Sequence, residues 1–94
     1  MKVQNYGSNQ TLIVENGCQV LYSYETPVAL VIRDGTLRAY KTDQFHSVTT
    51  SKHINKFLRA ESGGAEVLCV PQEVMNEWRE SEFVKEDYDN INQT

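Results

Sequence analysis

The order of elements in this chain predicts an α+β domain: an antiparallel β-meander sheet with one main helix packed on it and a short second helix near the C-terminus. Three observations carry that reading. The dipeptides Asn16-Gly17 and Asp34-Gly35 suit two-residue hairpin turns and stand between runs of β-formers. One amphipathic stretch, around Thr49 to Arg59, follows the strands. Strands come mostly first and helices after, whereas a parallel α/β fold would alternate them.

The first hairpin joins Thr11–Glu15 to Cys18–Tyr24, with Ile13 opposite Val20 and Leu12 opposite Leu21. Its residues are apolar on both sides, so the pair is expected in the interior of the sheet. Pro27 lacks a donor and restricts Thr26, which fits a turn or a strand start between Tyr24 and Val28. Counting outward from Asp34-Gly35 sets Ile32 opposite Leu37, Leu30 opposite Ala39 and Val28 opposite Lys41 on a core side. The other side then carries Arg33, Val31, Arg38, Ala29 and Tyr40, a mixed cationic and aromatic face that is expected to be exposed or covered by a partner.

Phe45-His46-Ser47-Val48 leads into the main helix, in which Ile54, Phe57 and Leu58 form one apolar stripe while Lys52, Asn55, Lys56 and Arg59 face outward. Gly63-Gly64 ends it. Ala65 to Val70 reads as a short strand, Pro71 as the first position of a second helix, and Val74, Met75 and Trp78 as the buried side of that helix. One α+β domain over residues 1–85 is expected, with 86–94 an acidic, polar and frayed tail.

The formal net charge of −4 is unevenly spread. From Arg33 to Arg59 six cations face two acids, whereas from Glu73 to Thr94 seven acids face Arg79 and Lys85. Opposite-sign halves suit self-association or an anionic ligand. The two cysteines, Cys18 and Cys69, sit in apolar runs without metal-type spacing, as small hydrophobic strand residues in a reducing compartment do. The segment Met1 to Tyr6 lacks the apolar run of a signal peptide, and no stretch approaches a membrane span, so a cytoplasmic location without membrane contact is expected.

Catalytic chemistry has little to stand on. No Gly-rich phosphate loop, HExxH, CxxC or GxSxG occurs, and His46 and His53 are better read as capping or packing residues than as bases for Ser47 or Ser51. The expectation is no catalytic residue, no metal, no cofactor and no enzyme activity.

Binding chemistry has more. Thr49, Thr50 and Ser51 offer N-cap oxygens, yet the first helical turn would then hold Lys52 and His53, where the helix dipole favours acids. Cations beside donor N–H groups invite an anion, which makes Thr49, Thr50, Ser51, Lys52, His53 and Lys56 the candidate anion-binding residues. The bland alternative is that Thr49 or Thr50 only caps the helix and an acid from elsewhere in the fold answers Lys52. Tyr22, Tyr24, Arg33, Arg38 and Tyr40 are the interface candidates.

Ser23-Tyr24-Glu25-Thr26-Pro27-Val28-Ala29, followed by Thr49-Thr50-Ser51-Lys52-His53-Ile54-Asn55-Lys56-Phe57-Leu58, resembles a family of small uncharacterised proteins encoded by bacteriophages and other mobile elements. The resemblance covers roughly residues 10 to 60 and implies a phage or prophage origin and action inside a bacterial host cell. It brings no activity, cofactor or catalytic residue with it. The expected function is a non-enzymatic binding protein that engages a host protein or a small anionic ligand through the helix start at Ser51-Lys52-His53. The alternative is a nucleic-acid-associated accessory protein using the Arg33, Arg38 and Lys41 face, which the overall acidity disfavours. An exposed sheet edge in so small a domain makes a homodimer reasonable.

Overall fold

The computed structural model describes residues 2–15, 17–34 and 36–79. The tail expected over 86–94 lies outside them. Six strands, β1 (Lys2–Gly7), β2 (Gln10–Glu15), β3 (Cys18–Ser23), β4 (Thr26–Asp34), β5 (Thr36–Thr42) and β6 (Val67–Val70), form one sheet in sequential order. Helix α1 (Val48–Glu61) connects β5 to β6, and α2 (Gln72–Asn76) follows. The fold is α+β. The first five strands are antiparallel neighbours, but β6 runs parallel to β5, because a helical crossover returns the chain to the end of the sheet from which β5 began.

The Asn16-Gly17 hairpin has the expected register, with Leu12 opposite Leu21 and Ile13 opposite Val20, and both of its strands are interior. Gly17 holds a positive φ of 79°, and a Cβ there would stand 3.0 Å from the Arg33 carbonyl oxygen, so glycine lets β4 approach. Sequence reasoning did not anticipate β1. Its alternation is weak, and Tyr6 is the extra residue where pairing with β2 shifts between Asn5 and Gly7.

The β4–β5 register departs from the expected one. Arg33 pairs with Leu37, Ile32 with Arg38, Val31 with Ala39 and Leu30 with Tyr40, a slip of one residue. The cause lies in β4, where every residue from Val28 to Ile32 is buried on whichever side it faces. A strand that is apolar on both faces cannot tell its partner which register to adopt. The slip puts Leu37 and Ala39 on the side of Arg33 and Val31, and Arg38 and Tyr40 on the side of Ile32 and Leu30.

Both faces of the sheet are covered. On one, Leu12, Leu21, Ala29, Val31 and Ala39 pack against Ile54, Phe57 and Leu58 of α1. On the other, Cys18, Val20, Leu30, Ile32 and Tyr40 pack against Met75 and Trp78. Trp78 lies just beyond α2, and its indole N–H donates to the Tyr22 hydroxyl (3.0 Å). Cys18 is buried and Cys69 is exposed, both as free thiols. Strands β3 and β6 are separated by β4 and β5, so the two cysteines have no route to a disulfide, and Cys69 is not the packed residue its apolar run suggested. Among the described residues no helix is long and apolar enough to cross a membrane.

Candidate functional site

Helix α1 starts earlier than its hydroxyl run suggests. Ser47 is the N-cap, its backbone extended (φ −166°, ψ 167°) and its Oγ accepting from the Thr50 N–H at 3.0 Å. Neither Thr49 nor Thr50 caps the helix. Lys52 and His53 therefore stand one turn further in, beyond the reach of the free N–H groups, so the helix mouth does not hold the cations assigned to it. The first turn still contains no acid.

The expected block divides between two sides of the helix. Thr50 and His53 point into the fold, where the Ser23 hydroxyl meets Thr50 Oγ1 at 3.0 Å and His53 Nδ1 at 2.9 Å. Two hydroxyls can each donate and accept, so the trio is satisfied with the imidazole in either tautomer. Ser23 and Thr50 are buried, and this polar knot pins α1 to the end of β3. Ser23 was not among the expected residues. The signal was there: a serine at the position where β3 alternation asks for an apolar residue after Leu21.

The outward side is cationic. Lys52, Lys56 and Arg59 are exposed with Asn55 between them, and together with Ala60 they line a shallow depression of ≈ 610 Å³. Lys56 Nζ lies 5.5 Å from the centre of the Tyr6 ring, a cation–π contact that holds the ammonium over β1. The Tyr6 hydroxyl is held above its ordinary pKa by burial and by the nearby Glu61 charge. Glu61 is engaged by Arg33, whose guanidinium donates to the Glu61 carboxylate and to its carbonyl oxygen, both at 2.8 Å. Among the described residues no carboxylate is in ion-pair contact with Lys52 or Arg59. Thr49 is exposed and Ser51 partly buried beside them.

The interface candidates do not share a face. Arg33 lies on the α1 side, bound also to Gln19 Oε1 at 2.9 Å, while Arg38 and Tyr40 lie on the α2 side. Tyr40 is buried, and Tyr22 is committed to Trp78. Tyr24 stands apart from them in the turn after β3, half exposed and tilted against the His53 ring at 6.3 Å. The one-residue slip between β4 and β5 thus dissolves the cationic and aromatic face that the alternation had drawn. His46 is exposed and meets Gln72 Oε1 through Nε2 at 2.8 Å, a surface contact at the start of α2. Among the described residues no group of three or more His, Cys, Asp or Glu could hold a metal ion.

Fold and surface together define a small α+β domain, with a sheet sandwiched between a long cationic helix and a short capping segment. The chain belongs to a family of unknown function, DUF8033, whose model matches residues 1–77. That match takes in every described strand and both helices. No curated protein and no solved structure matches the chain.

Proposed function

We propose that this chain is a non-enzymatic binding protein of phage type that acts in the cytoplasm of a bacterial host and engages an acidic surface of a host protein through the outward side of α1. The observation that carries the reading is the row of Lys52, Lys56 and Arg59 on one helix side, with no acid in the first turn and the only acid of α1, Glu61, taken by Arg33. Three cations in line, on a rigid element packed against the sheet by Ile54, Phe57 and Leu58, form a complementary surface for acidic side chains. Asn55, between the cations, adds a polar group that both donates and accepts. A nucleic-acid partner is less well served, because the chain is acidic overall, with a formal net charge of −4, whereas proteins that bind a phosphate backbone are usually basic.

The test reverses the charge. The variant Lys52→Glu/Lys56→Glu/Arg59→Glu changes only exposed helix positions, so its circular dichroism should match the parent. In fluorescence polarisation at low salt, a labelled glutamate-rich peptide is expected to bind the parent and to lose about tenfold or more in affinity with the variant. Equal affinities of parent and variant, or preference for a labelled single-stranded oligonucleotide over the acidic peptide, would overturn the reading.

A further inference from the structure

The sheet has two outer strands, and they are guarded differently. On β1, Lys2 places a charge at the flank and the pairing with β2 shifts between Asn5 and Gly7, two devices that discourage a further strand from adding. Strand β6 has neither. Its residues Val67-Leu68-Cys69-Val70 are uncharged, its ladder with β5 runs without a shift, and among the described residues nothing pairs with its outer side. Apolar surface borders this flank on both faces: Leu68, opposite Tyr40 on the α2 side, is 49% exposed, and Phe45, 70% exposed, lines a cleft with the exposed Cys69 on the α1 side.

The ladder fixes which backbone groups face outward. The Val70 carbonyl accepts from the Asp43 N–H at 2.8 Å, so Val70 turns its peptide groups toward β5, and alternation turns those of Leu68 the same way. The N–H and C=O groups of Val67 and Cys69 therefore point away from the sheet. These two residues stand on either side of Leu68, which makes the flank complementary to itself. An antiparallel copy with Leu68 opposite Leu68 pairs Val67 with Cys69 twice over and uses every outward N–H and C=O of both strands. A longer strand from another protein finds no free N–H beyond either end of β6, because Pro71 has none and the Ala65 N–H is bonded to the Ser62 carbonyl at 3.0 Å.

We infer that β6 pairs antiparallel with β6 of a second copy of this chain, the two-fold axis passing between the Leu68 residues, so that one sheet runs through both copies. On the α2 side the two Leu68 side chains meet at a non-hydrogen-bonded position, where facing Cα atoms come within about 4.5 Å. Charge suits the arrangement, since Glu66 falls opposite Val70 of the second copy and the two Glu66 carboxylates stand at opposite ends of the junction. A ladder of 4 residues a side falls short of the roughly 800 Å² per partner of a standard interface, and Leu68 and Phe45 widen its apolar border, so a dimer in exchange with monomer at micromolar concentrations is expected. The inference is independent of the cationic row on α1.

Sedimentation equilibrium of the full chain under reducing conditions is expected to show a monomer–dimer equilibrium with a Kd below about 100 µM. Leu68→Lys brings two like charges face to face on the axis and is expected to weaken the dimer about tenfold or more, with circular dichroism unchanged. Val3→Lys, on the β1 flank where Val3 is 58% exposed, is expected to leave the dimer intact. The register has its own readout in the parent chain. With Cys69 opposite Val67 of the second copy, the two Cys69 Cα atoms lie about 8–9 Å apart, too far for a disulfide but within reach of a short bis-maleimide, which is expected to link the copies through Cys69 and not through the buried Cys18. The inference is overturned if the parent stays monomeric up to about 0.5 mM, if Val3→Lys breaks the dimer and Leu68→Lys does not, or if the dimeric parent gives no Cys69 cross-link.

Discussion

The two faces of the sheet are closed in different ways. On the α1 side a helix of 14 residues, capped by Ser47 and ended by left-handed Gly63 and Gly64, lays a regular apolar stripe over the strands. On the α2 side a helix of 5 residues contributes one buried residue, Met75, and the cover is finished by Trp78 from the following turn. Separate side-chain contacts hold that second cover: Gln72 Nε2 donates to the Pro27 carbonyl at 2.8 Å, Trp78 to Tyr22, and Arg79 Nε to the Glu15 carboxylate at 2.8 Å, with the Arg79 guanidinium stacked over the Trp78 ring. A periodic pattern therefore secures one face and a few specific contacts the other. The first kind of cover rests on a repeated apolar stripe, while the second rests on Met75, Trp78 and a few specific side-chain contacts.

The strongest test of the contrast removes the centre of the regular face. Phe57 is fully buried and meets the Tyr6 ring edge-on at 5.9 Å, so Phe57→Ala is expected to cost about 3–5 kcal/mol, read as a lowered denaturant midpoint in urea. On the other face, Trp78→Phe keeps most of the apolar volume but removes the donor to Tyr22, and a loss of about 1–2 kcal/mol is expected from the same measurement. If Trp78→Phe cost as much as Phe57→Ala, the irregular cover would be the principal support of the fold. The smallest effect concerns the cap: Ser47→Ala leaves the Thr50 N–H without its acceptor and is expected to cost about 1 kcal/mol, visible in the thermal midpoint.

The same contrast explains which features were legible before the structure. Periodicity marked Ile54, Phe57 and Leu58 as the buried stripe and Lys52, Asn55, Lys56 and Arg59 as the outward side, because a helix with one wet face leaves a period in its sequence. The Asn16-Gly17 turn fixed its hairpin for a similar local reason. The β4–β5 register was not legible, since alternation carries no information in a strand buried on both sides. The parallel pairing of β6 depends on the crossover and leaves no local mark. At the candidate site, the cations were found but their setting was not. Four neighbouring hydroxyls, from Ser47 through Ser51, offered several capping positions, and only the backbone geometry selects Ser47. The Ser23–Thr50–His53 trio joins residues far apart in the chain, which spacing arguments cannot connect.

The parallel strand also sets an order of events during synthesis. Strands β1 to β5 can zip up hairpin by hairpin as the chain leaves the ribosome, since each pairing closes a short loop. Strand β6 can join only after all of α1 has emerged. Until then the outer flank of β5 keeps its unpaired backbone groups, and the nascent protein carries a template to which another chain could add. The helix that presents the cationic row is thus also the tether that brings this flank its own final strand.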